Sequence, residues 1–126
     1  MKRFLPVFFL FTALAAFSFS AGLGEVVKAI SSGDAAGVAR HFDNTVELAF
    51  PQKTGSYSKT QAELVLRDFF SNNPVKSFKL LHQGEKGGSE YCIGKLETRN
   101  GTYRTTFFMK NKGDRQILQE LRFESE

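Results

Sequence analysis

Apolar and polar positions alternate along the chain with two periods, helical first and strand-like afterwards. Near the N-terminus, Val26, Val27 and Ile30 form a stripe at helical spacing that Ser32-Gly33 closes. Asp34 then caps a second short helix whose Val38, Ala39 and Phe42 share one side, and Asp43-Asn44 reads as a turn. Val46, Leu48 and Phe50 alternate as a half-buried strand that Pro51 ends. The polar, glycine-containing segment from Gln52 to Tyr57 predicts a hairpin tip with a short return strand.

Thr60 with Glu63 three residues later is a capping-box pattern, and Leu64, Val65, Leu66, Phe69 and Phe70 predict a helix that Asn72-Asn73-Pro74 stops. Beyond Pro74 the period becomes strand-like, with four strands predicted near 75–83, 89–98, 103–110 and 116–124. Asn100-Gly101 supplies the positive φ angles of a two-residue type I′ hairpin. That turn sets Glu97 opposite Arg104 and Ile93 opposite Phe108.

One face of this hairpin carries Cys92, Gly94, Leu96, Tyr103, Thr105, Phe107 and Met109 and is predicted to lie inside. The other carries Lys95, Glu97, Arg104, Thr106 and Lys110 around Tyr91, Ile93 and Phe108. A three-residue loop, Lys112-Gly113-Asp114, adds Ile117, Leu121 and Phe123 to the inner face, whereas a two- or four-residue loop adds Glu120 and Arg122. Burial of charge is costly, so the three-residue loop is the expectation.

The extreme N-terminus has a different character. Lys2 and Arg3 precede a fourteen-residue apolar run, Phe4 to Phe17, and then Ser18-Phe19-Ser20-Ala21, which is the layout of a secretory signal peptide. The run is shorter than the ~20 residues of a bilayer-spanning helix. Cleavage after Ser20 is expected, with residues 1–20 removed and 21–126 forming one domain. An uncleaved membrane anchor would have to carry Pro6, Ser18 and Ser20 inside the span. The protein is therefore expected to be exported, periplasmic or secreted, with no membrane association once the signal is gone.

The remaining 106 of 126 residues suit one domain with a core of its own. The formal net charge of +4 falls to +2 without Lys2 and Arg3, which gives little ground for a nucleic-acid partner. Cys92 is the only cysteine, so no internal disulfide forms, burial of the thiol is expected, and a lipid-carrying cysteine after the signal is excluded.

The order of two short helices, a strand hairpin, a longer helix and four consecutive strands predicts an α+β fold, a curved antiparallel sheet wrapped on about three N-terminal helices. The segment Val27 to Asp34, with Val38, Phe42, Asp43, Val46 and Leu48 after it and Gly55 before the long helix, resembles the opening of nuclear transport factor two-like domains. The likeness is greatest to an exported bacterial subgroup of unknown function and extends over the whole mature chain. It implies a cone-shaped fold of the cystatin-like kind, a pocket between the concave sheet and the helices, and frequent dimerisation. Activities across that superfamily range from isomerases and dehydratases to noncatalytic binding proteins, so the fold does not transfer a function.

Proton-moving members of the superfamily place an Asp, His or Tyr in the cone, where a water-poor environment tunes it. The candidates here are His41 and Asp43 at the exit of the second helix, and His82 and Tyr103 on strands. His82 faces the pocket if Phe78 and Leu80 do, and solvent in the opposite register. Tyr103, Thr105, Thr98 and Gln119 place polar groups on an otherwise apolar inner face, where a ligand or the rim of the core would satisfy them. Ligand-binding candidates are thus Tyr103, Thr105, Gln119, His41 and Asp43, with no residue assigned a catalytic role and no metal or cofactor expected.

There is no Gly-x-Ser-x-Gly elbow, phosphate loop or His-Glu-x-x-His motif. Gly22-Leu23-Gly24 follows no strand, and the sequon Asn100-Gly101-Thr102 is accounted for as a turn. Tyr91, Ile93 and Phe108, with Leu118, form an apolar island on the outer face that suits a homodimer seam. The first reading is a noncatalytic domain that binds a small apolar or amphipathic ligand in the cone or a protein partner on the sheet. The alternative is a small isomerase or dehydratase using His41, Asp43 or Tyr103 on an apolar substrate.

Overall fold

The computed structural model describes residues 20–126. Residues 1–19, nearly all of the signal peptide expected over 1–20, lie outside the described residues. The order is α1 (Ala21–Ser31), α2 (Ala35–Ala39), β1 (Phe42–Phe50), β2 (Lys53–Ser58), α3 (Lys59–Asn72), β3 (Val75–Lys86), β4 (Ser89–Thr98), β5 (Gly101–Lys112) and β6 (Arg115–Ser125). Among the described residues no helix is long and apolar enough to cross a membrane.

The strands make one open sheet in the order β2-β1-β6-β5-β4-β3. It is mixed rather than wholly antiparallel, because β1 runs parallel to β6 while every other neighbouring pair is antiparallel. The two hairpin systems, β1–β2 and β3–β6, are separated by α3 and join through this one parallel seam. The helices cover one face, and the core lies between them and the sheet. Leu23, Val26 and Ile30 of α1, Val38 of α2 and Leu66 of α3 meet Leu48, Leu96, Phe107, Leu121 and Phe123, all essentially without solvent contact.

Local chemistry moves several boundaries from their expected places. Asp34 caps α2 as expected, its Oδ1 accepting from Gly37 N at 3.0 Å. That helix ends at Ala39, however, so Phe42 is the first residue of β1 and Asp43-Asn44 lie within the strand rather than in a turn. The N-cap of α3 is Ser58, two residues before Thr60, and its hydroxyl accepts from Gln61 N at 3.2 Å. Ser58 to Gln61 is itself a capping-box sequence. Glu63, freed from that role, pairs with Arg67 one turn on at 2.7 Å.

The β4–β5 turn is Arg99-Asn100, not Asn100-Gly101, since Thr98 pairs with Gly101. No non-glycine residue has positive φ among the described residues, and Gly101 is nearly extended at φ 156, so the turn is not of the I′ type. Thr98 holds it: its hydroxyl donates to Gly101 O at 2.7 Å and accepts from Asn100 N at 3.2 Å. The Asn100 amide is drawn to Asn72 O at the end of α3. Arg104 accordingly faces Lys95, and Ile93 faces Thr106. The slip is two residues, which preserves the side-chain alternation, so the inner face is still Cys92, Gly94, Leu96, Thr105, Phe107 and Met109.

Two of the register shifts, in β6 and β3, decide which side chains face the core. The β5–β6 turn is two residues, Gly113-Asp114, with Gly113 at φ +64, where a three-residue loop was expected. That register alone would turn Glu120 and Arg122 inward. A bulge at Gln119 takes up one residue, so Leu121 and Phe123 return to the inner face opposite Phe107 and Thr105. The two-residue turn itself puts Leu118 opposite Met109 in the core, which corrects its assignment to the outer island, and leaves Ile117 buried outside the core cluster. In β3, a bulge at Leu81 lets Phe78 and Leu80 pack inward while His82 pairs with Ile93 and is exposed.

Candidate functional site

The wide end of the sheet is closed by aromatic rings. Phe123 from β6 stacks on Phe69 of α3 at 4.5 Å and on Phe50 of β1 at 5.6 Å, and Phe70 meets it edge-on at 6.3 Å. Tyr103 from β5 contacts Phe69 edge-on at 5.2 Å. Offset and edge-on geometries of this kind are favourable beyond their buried area. These rings form a packed wall, and Phe50 and Phe69 border open space at its outer surface.

Two clefts there share Phe50, Gln52, Phe69 and Asn73. One, of about 320 Å³, runs towards Lys53, Val65 and Asp68; the other, of about 290 Å³, runs towards Tyr103 and Ser125. Asn73 stands at their junction because α3 ends there. Its backbone N–H and its Nδ2 both donate to Phe69 O, at 2.9 and 3.0 Å, and its Oδ1 accepts from the Tyr103 hydroxyl at 2.8 Å. The mouth therefore combines an aromatic wall with an amide–phenol corner of fixed orientation.

The other sequence-predicted residues separate into two groups. Thr105 is fully buried beneath this wall, its hydroxyl 3.5 Å from Tyr103 O, and Thr98 serves the β4–β5 turn. His41, Asp43 and Gln119 lie at the opposite end of the sheet. Gln119 reaches that place through its bulge, and its Nε2 donates to Asp43 Oδ2 at 3.3 Å. Asp43 Oδ1 accepts from Asn44 N at 2.8 Å and lies 3.7 Å from Lys112 Nζ. The Asn44 hydrogen bond, with Gln119 and Lys112 assisting against partial burial, holds the Asp43 carboxyl below its usual range. His41 turns instead to Glu25, with Nε2 3.0 Å from the carboxylate but off-line for a hydrogen bond. Its backbone oxygen accepts from Leu118 N, locking the start of β1 to β6.

Sequence reasoning missed Asn73, Phe50 and Phe69 as site residues. In the sequence Asn73 reads as a helix stop, Phe50 as part of a half-buried strand and Phe69 as part of the long helix. Their common signal is position, since Phe50 ends β1, Phe69 lies in the last turn of α3 and Asn73 caps it. Among the described residues, no three His, Cys, Asp or Glu side chains gather in a way that could hold a metal ion.

Comparison with known proteins agrees with this architecture. The profile of a family described as a domain of unknown function, DUF4783, matches residues 23–124. A DUF4783 family protein from Bacteroides uniformis superposes with a TM-score of 0.78 at 28% identity, over 82% of this chain and 95% of that one. One from Bacteroides fragilis gives 0.78 and 28%, over 86% of this chain and 100% of that one. An NTF2-like protein of unknown function from Cytophaga hutchinsonii shares the fold at 8% identity, with a TM-score of 0.60 over 83% and 87% of the two chains. Among the curated proteins none matches the chain.

Proposed function

The chain belongs to the DUF4783 family and has the NTF2-like, cystatin-like fold, and from that premise we propose that it is an exported, noncatalytic binding domain whose mouth clefts take a small amphipathic molecule. The observation that carries this reading is the junction at Asn73, where Phe50 and Phe69 present apolar surface beside the Tyr103–Asn73 pair. The volumes, about 320 and 290 Å³, fit small ligands. The phenol oxygen and the amide keep unused acceptor capacity, and the amide keeps one donor. Both groups are neutral, which suits an uncharged hydrogen-bonding edge on an apolar ring or chain.

The separation of the candidate acid–base groups supports a noncatalytic role over an isomerase or dehydratase. Tyr103 is at one end of the sheet, while His41 and Asp43 are at the other and engage Glu25 and Gln119. The charged residues lining the mouth, Lys53 and Asp68, are exposed to solvent. A homodimer through the outer sheet face is the second reading. It rests on Tyr91 and Phe108, paired across β4 and β5 with ring centroids 6.4 Å apart, Phe108 being 36% exposed.

Native mass spectrometry of the signal-free protein recovered from its host's periplasm tests these readings together. A bound molecule that is lost on denaturation, and lost from Tyr103→Phe, is the expected result. A retained molecule indifferent to Tyr103 and Asn73 would overturn the site, and failure to recover the protein outside the cytoplasm would overturn export.

A further inference from the structure

The end of the sheet remote from the mouth holds another cleft, of about 230 Å³, with a different lining. Three cations from three elements border it: Lys59 at the first position of α3, Lys112 at the end of β5 and Arg115 at the start of β6. Only one carboxylate, Asp43, lines it with them, and that carboxylate is already engaged by Asn44, Gln119 and Lys112. Asp114, in the turn between Lys112 and Arg115, is exposed and does not line the cleft. Ile117 is buried at its base and Asn44 contributes an amide at its edge.

We propose that this cleft binds a small organic dianion of the phosphomonoester type, held by Lys59 and Arg115 with Lys112 as the third cation. The charges of the lining groups leave an excess of two positive charges, which matches a dianion. An arginine fork recognises phosphate oxygens in pairs, and a lysine adds a mobile point charge. Lys59 stands at the positive end of the α3 dipole, which favours anions further. The volume exceeds that of a bare phosphate group and leaves room for a short organic substituent over Ile117. Asp43, held ionised by Asn44 and Gln119, fixes Lys112 and is the reason one cation is oriented before any ligand arrives.

The test is an amide-resolved NMR titration of the purified protein with inorganic phosphate and, separately, glycerol 3-phosphate, each against sodium chloride of equal ionic strength. Saturable shifts centred on Asn44, Lys112 and Arg115 are expected with a phosphate source and not with chloride. Tighter binding of glycerol 3-phosphate identifies an organic phosphate; equal or weaker binding overturns that choice of ligand. Lys59→Gln and Arg115→Gln change exposed side chains, so folding is retained, and the spectrum itself verifies this. Each should weaken binding roughly tenfold, as loss of a charge-assisted contact does. Affinity unchanged in both variants, or shifts reproduced by chloride, would overturn the site.

Discussion

The Tyr103 hydroxyl donates to the Asn73 side chain across 2.8 Å, tying the first residues of β5 to the residue that ends α3. Asn73 in turn closes the helix by its two hydrogen bonds to Phe69 O. One phenol therefore fixes the helix terminus, the polar corner of the mouth and the relative position of Phe69.

Tyr103→Phe keeps the edge-on ring contact with Phe69 and removes only the hydroxyl. Asn73 is 9% exposed, so its Oδ1 loses a donor that water replaces incompletely. The expected cost is about 1 kcal/mol of stability, the usual net value of such a bond. Urea unfolding should show a lower midpoint with an unchanged slope. A changed slope would instead mean that the phenol organises much more of the fold than this corner.

A tighter steric relationship lies between β3 and β4. A Cβ built on Gly94 would sit 2.4 Å from the Phe78 ring and 2.8 Å from Lys79 O, which is backbone and cannot turn aside. Gly94→Ala should therefore destabilise by ~1–3 kcal/mol through overpacking. Thermal unfolding checks this, and Phe78→Leu in the same chain should recover only part of the loss, because the carbonyl contact persists.

How far the sequence discloses the structure depends on what each residue answers to. The inner face of β4 and β5 was legible because alternation survives a two-residue slip, so a misplaced turn at Asn100 left Cys92, Leu96 and Phe107 where they were expected. The turn itself was not legible. It is decided by the Thr98 hydroxyl and by Asn72 O, which reaches Asn100 from a helix twenty-eight residues away. The bulges at Leu81 and Gln119 answer to burial on both sides of an extra residue, and period-two reasoning has no position for it. Hence His82 faces solvent beside inward-facing Leu80, and Gln119 meets Asp43 instead of lining the cone. Tyr103 could be picked out as a polar residue on an apolar face, but its partner could not, because Asn73 becomes a site residue only when α3 and β5 are brought together.

Cys92 gives a pH dependence with a definite sign. It is fully buried, and burial, reinforced by the nearby Glu90 carboxylate, raises its thiol from an ordinary 9.0 to about 12. The folded protein then keeps the thiol proton where the unfolded chain releases it. This contribution to stability is complete below pH 9.0 and is lost as pH rises towards about 12. Within that window it falls by up to ~1.4 kcal/mol per pH unit. Lysines and tyrosines titrate in the same range, so the quantity to measure is the difference between the wild type and Cys92→Ala. The wild type's advantage, set at neutral pH by the filled cavity, should shrink between pH 9 and 11 in urea unfolding. Native thiol should also react slowly with an aromatic disulfide reagent at pH 8 and rapidly once urea exposes it. A constant difference across the alkaline range, together with fast native labelling, would mean that the β4 thiol is reached by water through the sheet.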